Sequence, residues 1–340
     1  MKISTPSLPQ LATAALAMTV FLSGAASAAD QPAPEKNVHE KIVDTMHRLV
    51  KGPYAGYRSN HAKGIVVTGS FSPSADAPSL SKAPHFLKTM PVTVRFSDPT
   101  GLPTMPDASP DASPHGIAIR FQLPDGAITD IVSISYNGFP VSTPEDFLAL
   151  LNAIADTKPT DAHPNQVEQF VGSHPATKTF VSTPMPPPVS FGTLAYFGVN
   201  AFQFTNAKGE SHYARYRIEP VGGIESLTKE QVEKVGPNYL MEELPKRLAK
   251  GPVKFRISAQ IAAPGDAIND GSIVWPNDRK VVELGIMTLD AVMPDSAAAE
   301  KKLAYNPLIL VDGIAPSADP ILLSRPIAYA VSVGRRMSGK

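Results

Sequence analysis

The sequence predicts an α+β protein, with antiparallel strands through the first two-thirds of the chain and with helices and wrapping segments at both ends. Three observations lead to this fold class. Short runs rich in Val, Ile, Thr and Phe recur between turn signals, as in antiparallel strands. Segments near both ends carry helical spacing or helix-start signals. The 340 residues include 35 prolines, well above the usual share of about 5%, which favours extended and looping segments over a helical bundle.

The bulk composition excludes several classes of function. The chain carries 31 basic and 31 acidic residues, a formal net charge of +0, whereas binders of nucleic acid or anionic membranes show a basic excess. It has no cysteine, which rules out thiolate metal ligands, iron–sulfur clusters and attachment through Cys-x-x-Cys-His. The sequence also lacks the spacings of metalloproteases, nucleotide-binding glycine loops and serine-nucleophile elbows.

The first 28 residues have the features of a signal peptide. Lys2 gives a positive start, residues 11–22 are mostly apolar, and Ala26-Ser27-Ala28 is a small-residue cleavage site. The apolar run is too short to span a bilayer comfortably. We therefore expect residues 1–28 to be removed on export to a bacterial periplasm, and residues 29–340 to form a single domain without a membrane span.

Eight runs have the composition of strands, and Asn206-Ala207-Lys208-Gly209 is a hairpin turn signal between two of them. The expected strands are residues 64–71, 92–97, 116–122, 130–136, 191–204, 211–218, 253–261 and 283–289. Thr143 with Pro144, and Asp319 with Pro320, each combine an N-cap residue with proline at the first helical position. The expected helices are residues 39–51, 147–155, 167–171, 227–248 and a closing helix from Asp319.

The closing helix brings three side chains to one face. Arg325 and Tyr329 are four residues apart, and Arg336 lies seven further on, about two turns. A phenol is neutral at pH 7 unless a cation or a metal stabilises its anion, and the Arg325 guanidinium is such a cation. Tyr329 could therefore be an anionic oxygen ligand to ferric haem iron. The alternative is a surface tyrosine with solvated arginine neighbours.

Three separated segments carry a resemblance to a known family. They are Arg58-Ser59-Asn60-His61-Ala62-Lys63-Gly64, then Val94-Arg95-Phe96-Ser97 with residues 116–121 and 130–132, and finally Tyr305-Asn306-Pro307-Leu308 through Arg325-Pro326-Ile327-Ala328-Tyr329. In this order they resemble the haem catalase superfamily, in particular its short exported branch, the catalase-related peroxidases. The resemblance runs from about residue 38 to the end. It implies an antiparallel β-barrel core with flanking helices, and noncovalently bound haem b.

The resemblance also implies roles for the catalytic and iron-binding residues. Tyr329 matches the iron ligand and Arg325 its charge partner. His61 matches the acid–base group on the opposite face of the haem, and Ser97 the hydroxyl that hydrogen-bonds its other ring nitrogen. A neutral imidazole is needed to accept a proton from peroxide, so we expect activity to fall as pH drops through the histidine pKa, ordinarily about 6.5.

Five further residues match positions that bind the haem itself. Arg58, Arg95 and Arg336 correspond to three arginines that bind the haem propionates, since carboxylates in a low-dielectric pocket need cations. Phe139 and Phe147 correspond to aromatic positions against the haem face or edge, where stacking is favourable. For these two phenylalanines a plain core position is the alternative.

Two departures from the family pattern affect the expected activity and helix geometry. Ile134 falls where the larger catalases have an asparagine that assists peroxide, and Asn60 or Asn137 could substitute for it. Pro326 lies inside the closing helix, where it removes a backbone donor and is expected to cause a kink. His115 adjoins a matched strand and is a candidate for a position near the pocket.

The function implied is a haem-dependent peroxidase that reduces hydrogen peroxide, or organic peroxides, with a small organic electron donor and with weak catalase activity at most. Two alternatives stay open. The same residues would serve rearrangement of a lipid hydroperoxide, as in catalase-like allene oxide synthases. A non-enzymatic periplasmic haem carrier is the other, although three propionate arginines and a phenolate predict slow haem loss. The sequence does not indicate the oligomeric state.

Overall fold

The computed structural model describes residues 35–339, so the expected signal peptide at residues 1–28 lies outside the described residues. Residues 36–339 lie within one compact unit. The strands are β1 (Gly64–Pro73), β2 (Met90–Ser97), β3 (Gly116–Gln122), β4 (Ile128–Ile134), β5 (Tyr196–Phe197), β6 (Phe202–Thr205), β7 (Ser211–Pro220), β8 (Val253–Ile261), β9 (Val281–Val292) and β10 (Ile314–Pro316). The helices are α1 (Val38–Leu49), α2 (Ala77–Leu80), α3 (Pro144–Asp156), α4 (Gln166–Ser173), α5 (Pro175–Ser182), α6 (Lys229–Val232), α7 (Tyr239–Leu248), α8 (Ser296–Lys302) and α9 (Pro320–Ser338).

Eight of these strands close into an antiparallel barrel. Around the barrel the order is β1, β2, β3, β4, β5, β7, β8 and β9, and β9 pairs again with β1. β6 and β10 extend the sheet beside β7. Flanking helices complete the α+β fold. The expected antiparallel β-barrel core with flanking helices is therefore confirmed.

The strands close because each has one apolar face. Along β2, for example, Val92, Val94 and Phe96 alternate with Thr93 and Arg95, and the three apolar side chains join one buried cluster. Alternate residues of a strand point to opposite faces, so the alternating set fills one side of the sheet. On the other face of β2, Thr93, Arg95 and Ser97 are buried too, and Arg95 and Ser97 line a cavity outside the barrel.

Helices α1, α3 and α9 contact one another on the outer face of the barrel. Thr143 caps α3 as expected, by accepting from the Asp146 backbone N–H, and Asp319 caps α9 by accepting from the backbone N–H groups of Ile321 and Leu322. Pro326 lies inside α9, which is continuous from Pro320 to Ser338. Among residues 35–339, no helix has both the length and the apolar character that a membrane crossing needs.

Two expected elements are interrupted in the structure. The expected helix 227–248 is two helices, α6 and α7, because Gly236 and Pro237 separate them and neither residue favours a helix interior. The expected strand 191–204 is a 3-10 turn (Phe191–Thr193) followed by the short strands β5 and β6. Gly198 lies in the gap, where a side chain would meet the Tyr216 Cβ atom at 3.0 Å.

Candidate active site

A cavity of about 260 Å³ lies between the outer face of the barrel and helices α1, α3 and α9. All nine residues singled out in the sequence for catalysis, haem binding or iron ligation line it. They are Arg58, His61, Arg95, Ser97, Phe139, Phe147, Arg325, Tyr329 and Arg336. The sequence separates the first of them from the last by most of the folded chain, so the fold brings them together. Their chemical roles remain predictions.

The barrel wall of the cavity is one row of residues across neighbouring strands. Ser97 on β2 pairs with Gly116 on β3, Gly116 with Ile134 on β4, and Ile134 with Phe197 on β5. All four line the cavity. Gly116 has to be glycine for close approach, because a Cβ atom there would lie 2.9 Å from the Nδ1 and Cε1 atoms of His61. The register of the sheet therefore sets which side chains meet the imidazole.

His61 lies in the loop before β1 and has a left-handed backbone, with φ of 54°, a conformation that is uncommon outside glycine and is enriched at functional sites. Its Nδ1 atom lies 3.0 Å from the Ser97 Oγ atom. Burial, aided by the positive charge of Arg95, lowers the pKa of His61 to about 3. The imidazole is therefore neutral throughout the physiological range, which corrects the expectation of a pKa near 6.5.

On the opposite wall, α9 presents Tyr329 with its oxygen held by Arg325. The hydroxyl oxygen accepts hydrogen bonds from Arg325 Nε at 3.0 Å and from Nη2 at 2.9 Å. Arg325 Nη1 donates to Asn200 Oδ1 at 2.8 Å, and Asn200 Nδ2 donates to Asp319 Oδ2 at 2.8 Å. Both hydrogen bonds come from a guanidinium, so they are charge-assisted. The expected contact between Arg325 and Tyr329 is confirmed.

Asn200 is a site residue that the sequence did not predict. It lies in Phe197-Gly198-Val199-Asn200-Ala201-Phe202, a segment that forms part of the cavity edge. Its carboxamide links the cap residue of α9 to the guanidinium that holds Tyr329. Both Asn200 and Asp319 are buried, so this chain of hydrogen bonds fixes the rotamer of Arg325 from behind.

One edge of the cavity is basic. We call Arg58, Arg95 and Arg336 the arginine cluster. Arg95 Nε donates to both carboxylate oxygens of Glu300 at 2.8 Å, and Arg58 Nη1 donates to Glu300 Oε2 at 2.8 Å. Arg58 Nη2 and Arg336 Nη2 donate to the Leu303 carbonyl oxygen at 2.7 and 3.0 Å. Arg58 and Arg95 thus share one carboxylate, Arg58 and Arg336 share one carbonyl, and the Nε atom of Arg336 is buried without a partner among the described residues.

Burial makes this positive charge unfavourable. Desolvation lowers the pKa of Arg336, and desolvation together with the neighbouring Arg95 lowers the pKa of Arg58 to about 9. Guanidinium groups nevertheless stay cationic at neutral pH. Three cations against one carboxylate leave two positive charges without a counter-ion in the cluster, which favours a ligand that brings two negative charges.

These residues fit the haem that the resemblance implies. The cavity offers a phenolic oxygen backed by a cation for the iron, two unbalanced positive charges for two propionates, and apolar walls for the ring. Phe139 and Phe147, with ring centroids 5.3 Å apart, pack beside Val141, Leu150 and Ile321 at the apolar end. The two phenylalanines therefore join a small core cluster and also line the cavity.

The structure also shows where Ile134, and the asparagines that could substitute for the missing one, lie. Ile134 and Asn60 line the cavity, whereas Asn137 is not among the lining residues. Asn60 Oδ1 accepts from the Thr100 backbone N–H at 2.7 Å. His115 is buried beside the lining residue Gly116, and its Nδ1 lies 2.9 Å from Asp98 Oδ1. Of the two expected substitutes for the missing asparagine, Asn60 is therefore the one that lines the cavity.

The chain is similar in sequence to proteins of one known family. Residues 43–340 match the sequence model of the family described as Catalase. A catalase-related peroxidase of Synechococcus elongatus is 33% identical over 293 residues, which are 85% of this chain and 86% of that protein. Another from Mycolicibacterium paratuberculosis is 33% identical over 301 residues, which are 87% of this chain and 94% of that protein.

Solved catalases share the fold. A fungal catalase superposes with a TM-score of 0.74 at 21% identity, and a bacterial catalase with 0.73 at 23% identity. They cover 88% and 93% of this chain, while this chain covers 63% and 64% of theirs, less than two thirds of their length. Since the family's sequence model matches most of the chain and two relatives match over most of their own length, the chain belongs to the catalase family, a family of haem oxidoreductases that act on peroxide.

Proposed function

We propose that this chain is a haem-dependent peroxidase that reduces hydrogen peroxide with a small organic electron donor and has weak catalase activity at most. The observation that carries the proposal is the position of His61 and Tyr329 on the walls of one cavity, each side chain held by a second residue, Ser97 and Arg325. The relatives named catalase-related peroxidase support the same activity. Bound haem b would supply the redox chemistry, with Tyr329 as the iron ligand.

His61 moves the protons in this proposal. Its neutral imidazole can accept a proton from one oxygen of hydrogen peroxide and deliver it to the other, which would then leave as water. The haem, when bound, would supply the two electrons for cleavage of the O–O bond and take up the remaining oxygen. Burial keeps the imidazole neutral and ready to accept, because its pKa is lowered to about 3. Ser97, 3.0 Å from Nδ1, fixes the orientation of the ring.

Arg325 and the arginine cluster act in haem binding and do not transfer the proton. The Arg325 guanidinium stabilises negative charge on the Tyr329 oxygen through two hydrogen bonds. The arginine cluster would bind the propionates at the opposite end from the apolar phenylalanine pair. Both interactions would hold the haem in the cavity that His61 lines.

Weak catalase activity follows from Ile134. This side chain lies in the same row as Ser97, two strands away, at the barrel wall of the cavity. An isoleucine offers no hydrogen bond to a second peroxide molecule, which a catalase must oxidise to dioxygen. An organic donor, by contrast, needs only to deliver electrons near the haem edge. The arrangement therefore favours peroxidase turnover.

The experiment is a comparison of products from the purified, haem-loaded protein. With hydrogen peroxide and a phenolic donor, we expect donor oxidation to be much faster than oxygen evolution. Oxygen evolution that exceeds donor oxidation would identify a catalase instead. Donor-independent conversion of a fatty-acid hydroperoxide to an isomer would identify the rearrangement reaction, and rapid haem transfer to apomyoglobin without peroxide turnover would identify a carrier.

We also propose that the protein acts after export, in a bacterial periplasm. The support is the sequence of residues 1–28, with its positive start, apolar run and small-residue cleavage site. Expression in a Gram-negative host and fractionation would test this. We expect a periplasmic product whose N-terminal residue is Ala29, and a cytoplasmic product that retains Met1 would contradict the proposal.

A further inference from the structure

The arginine cluster carries its own internal counter-ion, and that residue has no role in the family resemblance described above. Glu300 lies on α8 and contacts both Arg58 and Arg95. Its side chain is 14% exposed, and those of Arg58 and Arg95 are 15% and 4% exposed. The contacts are therefore largely shielded from solvent, where a charge pair matters far more than at the surface.

Glu300 contacts the arginines from outside the cavity. All three arginines line the cavity, and Glu300 is not among the lining residues. Glu300 uses the Nε atom of Arg95 and one Nη atom of Arg58, and the Leu303 carbonyl takes another nitrogen of Arg58 and one of Arg336. The segment from Glu300 to Leu303 thus ties all three guanidinium groups from behind.

From this geometry we infer that Glu300 is the counter-ion that allows the arginine cluster to fold before haem is bound. The inference rests on the proposed function, because it assumes that haem brings the remaining two negative charges. Glu300 is a positioning residue, since it touches the arginines and not the ligand. Because it belongs to the chain, its charge balances part of the cluster at every stage of haem loading.

The charge balance predicts in which state, haem-free or haem-bound, the loss of Glu300 should destabilise the chain more. With Glu300 the cluster has two unpaired positive charges without haem, and none once two propionates bind. Replacing Glu300 by glutamine leaves three without haem and one with it. The Glu300 carboxylate faces three positive charges without haem but a net charge of only one once two propionates bind, so its removal should cost more stability without haem than with it. A ligand that binds only the folded state raises its stability, and here that rise should be larger in the variant.

The test compares thermal unfolding of Glu300→Gln and wild type, each with haem extracted and each reloaded with ferric protoporphyrin IX. We expect the haem-free variant to melt roughly 5 °C or more below wild type, and the loaded variant to lie much closer to loaded wild type. Equal losses in both states would show an ordinary structural ion pair and overturn the inference. A larger loss in the loaded state would overturn it as well.

Two further variants isolate the charge. Glu243→Gln removes a partly buried carboxylate that pairs with Arg247 on α7, outside the cavity lining, and it should shift both states equally. Adding Arg58→Gln to Glu300→Gln restores the wild-type excess of two charges. We therefore expect the haem-free double variant to recover much of the lost melting temperature, and no recovery would contradict a charge-based role.

If Glu300→Gln does not fold alone, its refolding yield with and without ferric protoporphyrin IX gives the same distinction. Haem should restore the yield of the variant, and a yield that stays low with haem would overturn the inference. Haem binding by wild type shows whether a negative result contradicts only this inference or also the proposed function. If wild type shows no Soret band and no rise in melting temperature with haem, both proposals fall, whereas a normal wild-type response with equal variant losses removes only this one.

Discussion

The two walls of the cavity meet opposite electrostatic requirements. On the barrel wall, burial keeps His61 neutral and lowers its pKa to about 3. On the helix wall, the Tyr329 oxygen receives two hydrogen bonds from the Arg325 cation, which favour negative charge on that oxygen. A base has to be uncharged to accept a proton, whereas the proposed iron ligand would have to carry negative charge.

The two walls are also built differently. Ser97 and Gly116 meet His61 through the register of neighbouring strands, so many backbone hydrogen bonds fix that wall. The helix wall depends on side chains, from Asp319 through Asn200 to Arg325. Substitutions on the barrel wall should therefore change the reaction while haem stays bound, and substitutions on the helix wall should change haem binding itself.

Tyr329→Phe should have the largest effect, because it removes the proposed iron ligand and leaves Arg325 without its acceptor. We expect the variant to lose most of its haem, measured as the ratio of Soret to protein absorbance after purification. Tyr305→Phe is the matched control, since Tyr305 also lines the cavity. Its hydroxyl donates a long hydrogen bond of 3.4 Å to the Thr93 backbone oxygen and accepts none from Arg325. Similar haem content in both variants would exclude Tyr329 as the ligand.

His61→Ala should keep haem and lose the reaction. Without the base, the rate of reaction with hydrogen peroxide should fall by about 10²–10⁴-fold, the usual contribution of positioned acid–base catalysis. Stopped-flow absorbance of the Soret band measures that rate. His212→Ala changes an exposed histidine and is the control. An unchanged rate in His61→Ala, or loss of haem equal to that of Tyr329→Phe, would contradict the contrast between the walls.

Buried histidines should also make stability depend on pH. His85 is 1% exposed, and burial lowers its pKa to about 3. Between that value and the unfolded pKa of about 6.5 the unfolded chain binds a proton that the folded chain does not, so stability is lost as pH falls. From pH 7 to pH 5 the loss should be about 2 kcal/mol for this histidine.

Urea unfolding of the haem-free chain at the two pH values measures this contribution. His85→Leu removes the titrating group, and we expect the drop between pH 7 and pH 5 to shrink by the amount given above. His163→Leu is the control, because that side chain is 71% exposed. If His85→Leu and wild type show the same pH dependence, His85 is not held neutral by burial.

Ile134→Asn should have the smallest effect and act only on the second half of a catalase cycle. The asparagine would add a hydrogen-bonding group to the row that contains Ser97 and Gly116. We expect oxygen evolution to rise several-fold while donor oxidation changes little, measured with an oxygen electrode and a phenolic donor. Unchanged oxygen evolution, with haem fully bound, would mean that Ile134 does not limit catalase activity.

Local signals in the sequence predicted the helix wall. Asp319 and Pro320 identify the start of α9, and the spacing of Arg325 and Tyr329 predicts their contact because residues four apart share a helix face. The family resemblance supplied the distant residues of the barrel wall, such as His61 and Ser97. Gly236 and Pro237 could have predicted the break between α6 and α7.

Other features depend on contacts between distant parts of the chain. Asn200 meets Arg325 across 125 positions, and Glu300 meets Arg58 across 242. Neither pairing has a spacing that the sequence reveals, because strand register and the path of the wrapping segments set them. The pKa of His61 is likewise a property of its burial, which the residue type and its neighbours along the chain do not specify.

Resonance Raman spectroscopy of the haem-loaded protein tests the central claim most directly, because it reports the iron ligand itself. Excitation into the phenolate-to-iron transition should reveal vibrations of a tyrosinate ligand in wild type, and these should be absent from whatever haem Tyr329→Phe retains. Tyrosinate vibrations that persist in Tyr329→Phe, or a histidine-ligated iron in wild type, would contradict the assignment of Tyr329.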